Sequence, residues 1–170
     1  MKQLYPILLF LTAFVCFGKP IKIKDSFLQI KNFHFISPQL ASSGLIDLDK
    51  YQAIKDYGFQ HVINLIPGNQ DLERAKVQSL GLSYVQISVD WSEPTLDNFE
   101  RFLTLMKQYK GDKIYVHCEA NYRASTFVYL YQLVAVGIDE EKAKKDLDII
   151  WKPTETWQGF IEKIKFTYQD

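Results

Sequence analysis

Apolar and polar positions follow two periods along the chain, and the switches between them predict strands alternating with helices. Ile30 to Phe35 alternates and reads as a first strand, stopped by Ser37-Pro38, and Leu40-Ala-Ser-Ser-Gly44 reads as a loop. Asp47 is placed to cap a helix whose apolar positions Leu48, Tyr51, Ile54 and Tyr57 recur at helical spacing up to Gly58. Phe59 to Ile66 contains the nearly unbroken apolar run His61-Val-Ile-Asn-Leu-Ile, as expected of a strand buried on both faces. A polar helix from Asp71 to Leu80, an alternating strand from Leu82 to Val89 and a loop from Asp90 to Pro94 follow. Thr95 caps the helix Leu96 to Tyr109, whose face of Phe99, Phe102, Leu103 and Met106 should pack on the sheet. The strand Lys113 to Val116 leads through a short loop into Ala124 to Val136, which is apolar almost all round and is expected to be the central buried helix. Asp139 opens a charged helix to about Ile150, and Pro153-Thr154 opens a last one through Trp157, Phe160, Ile161 and Ile164. This order implies an α/β fold with a central, mostly parallel sheet of four to five strands flanked by helices.

With 170 residues, 47% hydrophobic and 15% aromatic, the chain can bury a full core as one domain, which excludes a disordered protein. The 20 basic and 20 acidic residues balance, so no electrostatic footprint for nucleic acid exists, and an anionic substrate must be attracted locally. The start of the chain changes the picture further. Lys2, the apolar run Leu4 to Phe17 and Gly18 form a secretory signal pattern. The expected organisation is a signal peptide at 1–18, a leader at 19–29 and a domain at 30–168, in an exported protein that is periplasmic or secreted. The apolar run is short for a membrane span, so no stable span is expected after removal, with a retained N-terminal anchor as the alternative. Cys16 follows Ala13-Phe14-Val15, a poor match to a lipidation site, where a small residue precedes the cysteine. Removal of the segment leaves Cys118 as the sole cysteine, and a monomer is expected.

A solitary thiol in an exported protein is an oxidation liability, which points to chemistry rather than structure. Cys118 lies in Ile114-Tyr-Val-His-Cys-Glu-Ala-Asn-Tyr-Arg-Ala-Ser-Thr126, a strand, loop and helix in succession. Backbone N–H groups and the dipole at a helix N-terminus favour negative charge there, so the thiol should ionise more easily than a free one. Arg123 can return over the same loop and grip an oxyanion bidentately. Ligands of such sheets bind beyond the carboxyl ends of the strands, where Cys118 falls. Phosphoryl transfer, persulfide sulfur transfer and plain oxyanion binding all remain open on these residues. His34 and His61 have no cysteine or carboxylate at metal-ligand spacing and are read as structural, so neither metal nor cofactor is expected.

Beyond the loop, several blocks occur in a specific order: Ser37-Pro38-Gln39-Leu40 with Ser43-Gly44, Gly58-Phe-Gln-His-Val-Ile-Asn-Leu65, Gly81-Leu-Ser-Tyr-Val85, Asp90, and His117-Cys118 with Arg123. Over roughly Phe33 to Val136 the chain resembles the cysteine-dependent protein tyrosine and dual-specificity phosphatases. It looks most like the small bacterial phosphatase-like family also found fused to beta-lactamase-like hydrolases. The resemblance implies a three-layer fold and a phosphate monoester hydrolase that uses no metal. Cys118 would be the nucleophile that becomes phosphocysteine. Glu119, Ala120, Asn121, Tyr122 and Ala124 would form the phosphate loop, with Arg123 as its clamp. Asp90, 28 residues before the cysteine, would protonate the leaving oxygen and later activate water, with Glu93 and Asp97 as fallback acids. His117 would brace the loop from behind, or is a plain core histidine. The partner implied is a phosphorylated substrate, whether protein, lipid, sugar or nucleotide.

The loop departs from that pattern in ways that matter. Four residues separate Cys118 from Arg123, where the familiar phosphatase loop has five. Rhodanese-type sulfurtransferases also use a six-residue loop, so a Cys118 persulfide is the rival chemistry and a catalytically weak phosphate-binding module the third reading. No glycine lies between the two residues, and Asn121 is the one expected to take positive φ. Glu119 would weaken anion binding unless it points outward. Ala124 stands where many phosphatases place a hydroxyl against the sulfur, so Ser125 or Thr126 is expected to substitute. Tyr122 and Trp91 could flank an aromatic or sugar leaving group, or pack as ordinary aromatics. Arg74 belongs either near the mouth or on a solvated face. Trp151, Pro153 and Trp157 are expected to lock the last helix against the body.

Overall fold

Four-residue strands pair through their backbones into one sheet, and the computed structural model describes it within residues 27–168. The strands are β1 (His34–Ser37), β2 (Leu40–Ser43), β3 (His61–Asn64), β4 (Ser83–Gln86) and β5 (Ile114–His117), in the spatial order β1-β2-β5-β3-β4. Only the β1–β2 hairpin is antiparallel; β2, β5, β3 and β4 run parallel. The helices are α1 (Tyr51–Asp56), α2 (Asp71–Ser79), α3 (Leu96–Gln108), α4 (Tyr122–Tyr131), α5 (Glu140–Ile150) and α6 (Glu155–Thr167). The mostly parallel sheet flanked by helices is the expected fold class. Among the described residues no helix is long and apolar enough to cross a membrane.

Alternation along the strands divides the core in two. On β5, Ile114 and Val116 join one cluster with Ile63, Phe99, Phe102, Phe127 and Trp157, while Tyr115 joins the other with Tyr51, Ile54, Val62 and Val77. Helices α3 to α6 therefore cover one face, and α1, α2 and the segment around Phe27 the other. The capping expectations at Thr95 and Asp139 hold, since their side chains accept from the Asn98 and Lys142 amides.

Four local expectations need correction. Leu40–Ser43, read as a loop, is a strand paired on both sides, and all four of its residues are buried. Ala41, Ser42 and Ser43 lack the branched bulk that signals a strand, and their small side chains suit a position beneath packed helices. The first strand begins at His34 rather than Ile30, because Phe27 and Ile30 fold into the aromatic cluster beneath it instead of pairing. Core packing therefore reaches into the segment read as leader; the signal-peptide reading lies outside the described residues. Asp47 makes no capping bond and pairs instead with Lys50 at 3.2 Å, at the start of a 3₁₀ turn that leads into α1. The central helix begins at Tyr122, two residues early, and its expected end at Val136 is a π-helical turn over Gln132–Val136.

Candidate active site

The register aligns the carboxyl ends of three strands, with Ser43 and Asn64 both opposite His117. Cys118 follows immediately on the central strand and is 1% exposed, its N–H donating to the Ser43 carbonyl at 3.1 Å. Three residues later the backbone reverses at Asn121, which has φ 67° and is the N-cap of α4. Asn121 therefore does what the glycine-free loop demanded of it. Arg123, in the first turn of α4, is 6% exposed, and its buried Nε has no partner among the described residues. Its guanidinium lies 5.5 Å from the centre of the Trp91 ring. Loop, helix start and arginine thus converge on one spot at the edge of the sheet, with a buried donor left free for an oxyanion.

The other predicted residues are placed as follows. Glu119 is exposed and Ala120 half-buried, while Ala124 is buried. Ser125 and Thr126 were expected to offer a hydroxyl to the sulfur, and both donate instead to the Tyr122 carbonyl, at 3.2 and 2.9 Å. Hydroxyls in a first helical turn readily bond back to a carbonyl three or four residues earlier, and that local bond has claimed them. Asp90 is fully exposed, and its Oδ1 accepts from the Ser92 amide at 2.7 Å and the Ser92 hydroxyl at 2.6 Å. Those bonds, with a smaller contribution from the Arg123 charge, hold its carboxyl below the ordinary 3.8. Glu93 and Asp97 are both exposed, and Asp97 sits in the first turn of α3.

Aromatic side chains wall the site on one flank. Tyr122 stacks on Trp151 at 4.6 Å and 8°, and Trp91 lies 5.5 Å from Trp151 and 5.3 Å from Trp157. Trp157 Nε1 donates to the Trp91 carbonyl at 3.1 Å, tying the loop from Asp90 to Pro94 to α6. Trp157 and Trp151 pack edge-on at 6.0 Å, which ties the last helix to the body as expected, and Trp151 also stacks on Tyr122 at the start of α4. Arg74 lies over the Tyr84 ring at 5.2 Å and donates to Gln86 at 3.3 Å, with Asp71 3.7 Å away. His34 pairs with Asp146 at 2.7 Å, and His61 with Asp112 at 2.9 Å. Among the described residues no group of three or more His, Cys, Asp or Glu side chains could hold a metal ion.

His117 stands behind the loop, and its partner Glu73 is a residue that the sequence did not single out. His117, fully buried, bonds through Nε2 to Glu73 Oε1 at 2.7 Å, and the same carboxylate accepts from Tyr51 at 2.9 Å and Asn64 at 3.0 Å. Burial pushes the Glu73 carboxyl up, but the His117 bond and charge, with Tyr51 and Asn64, more than offset it, and the net shift is downward. Burial also raises the Tyr51 phenol, which stays a donor. Glu73 shares a helical face with the buried Val77, four residues on, and that spacing is the one sequence signal that it points inward.

Fold and site together define an α/β protein that carries a buried cysteine and a buried arginine on one strand–loop–helix turn. No family model and no curated protein matches the chain. Among solved structures, a DUF442 protein from Shewanella putrefaciens CN-32, described as a candidate phosphatase, is 33% identical over 85% of this chain and 97% of its own, with a TM-score of 0.75. The chain belongs to this DUF442 family. At lower identity the fold alone is shared, with Tk-PTP (16% identical, 81% of this chain and 96% of that one, TM-score 0.68) and with PTPMT1 bound to PI(5)P (17%, 81% and 96%, TM-score 0.66).

Proposed function

We propose that the protein is a cysteine-dependent phosphate monoester hydrolase. The observation that carries this is the convergence of Cys118, the left-handed Asn121 and the Arg123 Nε, which has no partner among the described residues, at the head of one helix. Membership of a family with a candidate phosphatase supports it. In this reading the Cys118 thiolate attacks phosphorus, forming a P–S bond as the bond to the leaving oxygen breaks. Arg123 and the loop amides hold the phosphoryl oxygens. Asp90 delivers its proton to the leaving oxygen, then takes one from the water that hydrolyses the phosphocysteine. Because Ser92 stabilises the ionised Asp90, the proton-bearing form is favoured at acid pH. His117, held by Glu73, braces the loop. The N-terminal signal pattern supports action outside the cytoplasm, on a phosphorylated substrate met there.

The test is vanadate-sensitive hydrolysis of an aryl phosphate, compared with Cys118→Ser and Asp90→Asn. Loss of turnover in Cys118→Ser is expected. Thiocyanate formation from thiosulfate and cyanide, with no phosphate release, would move the assignment to sulfur transfer. Tight vanadate binding without either activity would leave a binding module.

A further inference from the structure

Among the described residues two non-glycine positions have positive φ, Asn32 at 48° and Asn121 at 67°, and they are bonded to each other. Left-handed backbone is unfavourable wherever a Cβ is present, and it persists where neighbouring contacts over-determine it. The contacts here are reciprocal. Asn121 Nδ2 donates to the Asn32 carbonyl at 2.6 Å, and Asn32 Nδ2 donates to the Ala120 carbonyl at 3.0 Å, across 89 and 88 positions of sequence. The same strip of chain makes two more bonds: the Gly44 amide donates to the Lys31 carbonyl at 2.7 Å and the Leu45 amide to the Glu119 carbonyl at 3.1 Å. A Cβ on Gly44 would lie 3.0 Å from the Glu119 carbonyl oxygen and 3.1 Å from Lys31 Cβ, so segments 31–32, 44–45 and 119–121 stack so closely that a side chain there would push its neighbours by a few tenths of an ångström.

Two consequences follow for the loop. Its turn into α4 depends on Asn121 staying left-handed, and with no glycine in the loop that backbone has to be held from outside. A carbonyl facing a bound oxyanion repels it, and the Glu119 and Ala120 carbonyls are held on Leu45 and Asn32 instead. We propose that Asn32 is a positioning residue for the cysteine loop, latching a glycine-free cradle into the shape that binds a transferring phosphoryl group. The proposal rests on the phosphatase reading of the site. Asn32 itself is exposed, carries no charge and touches no reacting atom, so it acts through Asn121 and Ala120.

Asn32→Gly keeps the left-handed backbone available and deletes the amide donor without adding charge, so it carries the comparison; Asn32→Asp abolishes the donor and adds a carboxylate against the Ala120 carbonyl, and should be the more severe of the two. Each variant is compared with wild type for kcat and KM on an aryl phosphate, for inhibition by orthovanadate and by orthophosphate, and for its thermal midpoint. A loosened cradle loses more of the transition state than of the ground state. The expected result is a fall of about tenfold in kcat/KM, carried mainly by kcat, with orthovanadate inhibition weakened more than orthophosphate inhibition. A residue that serves only stability would lower the thermal midpoint and the active fraction, leaving KM and both inhibition constants of the surviving enzyme unchanged; that result overturns the latch. Wild-type protein that binds orthovanadate but turns nothing over would sink the phosphatase reading alone, and the latch would then be judged by calorimetric titration of each variant with orthovanadate: weaker binding in Asn32→Gly than in wild type supports it, and equal binding overturns it.

Discussion

Removing the Glu73 carboxylate should be the most damaging single change to the stability of the site. The group is 11% exposed and accepts from three side chains, His117 Nε2 at 2.7 Å, Tyr51 at 2.9 Å and Asn64 at 3.0 Å. Glu73→Ala removes the acceptor they share; Asn64 Nδ2 keeps its bond to the Tyr84 hydroxyl at 3.0 Å and Tyr51 keeps a 3.3 Å contact with His117 Nε2, so the bonds are lost without every donor being stranded, and a buried group left without a partner costs about 1–3 kcal/mol. The losses overlap in one network, so the expected total is about 2–4 kcal/mol. That is a large share of a typical domain stability of about 5–15 kcal/mol. Glu73→Gln retains an acceptor for His117 and Tyr51 but sets an amide N–H₂ against Asn64 Nδ2, and should lose about 1–3 kcal/mol. Urea unfolding followed by tryptophan fluorescence measures both. The sign with pH is also determined. The folded-state carboxyl is held below its ordinary 4.5, so the unfolded chain binds more protons near that pH and the contribution falls away as pH is lowered. Wild type and Glu73→Gln should therefore differ fully at neutral pH and converge as pH drops through the folded-state value of Glu73. A loss under about 1 kcal/mol in Glu73→Ala, or a gap that widens on acidification, would refute the buried-acceptor argument.

Other changes probe the site from different sides. Gly44→Ala forces a Cβ against the Glu119 carbonyl at 3.0 Å, and should cost about 1–3 kcal/mol by thermal denaturation while weakening vanadate inhibition. Trp91→Ala uncovers the Arg123 guanidinium, which lies 5.5 Å from its ring, and should raise KM for an aryl phosphate by a few fold, about 0.5–1 kcal/mol of cation–π contact, in steady-state kinetics. Asp90→Asn should slow hydrolysis of alkyl phosphates about 10²- to 10⁴-fold, and that of a nitrophenyl phosphate, whose leaving group needs little help, far less. For the wild type, kcat/KM on an alkyl phosphate should fall as pH rises through the lowered Asp90 value, a limb that Asp90→Asn removes from the pH profile.

The order of elements was legible because hydrophobic period and turn chemistry agreed nearly everywhere. Thr95 and Asp139 carried their caps, and Cys118 fell at the carboxyl end of the central strand. Asn121 could be singled out by elimination, since asparagine tolerates left-handed backbone better than its loop neighbours do. What escaped depended on distant partners. Leu40–Ser43 is a strand because β1 and β5 satisfy its backbone on both sides, a fact that its own small residues do not signal. Glu73 and His117 meet across 44 positions, and Asn32 and Ala120 across 88, so neither pairing leaves a periodic trace. The hydroxyls of Ser125 and Thr126 were misplaced because a local carbonyl competed successfully for them.

The central claim is that phosphorus passes through the Cys118 sulfur. It is tested most directly by mixing wild-type protein with a ³²P-labelled aryl phosphate, quenching within the first turnovers, and mapping the label by peptide mass spectrometry. A phosphocysteine at Cys118, absent in Cys118→Ser, is the expected result. Turnover that continues with no label on Cys118, or at the wild-type rate in Cys118→Ser, would contradict it.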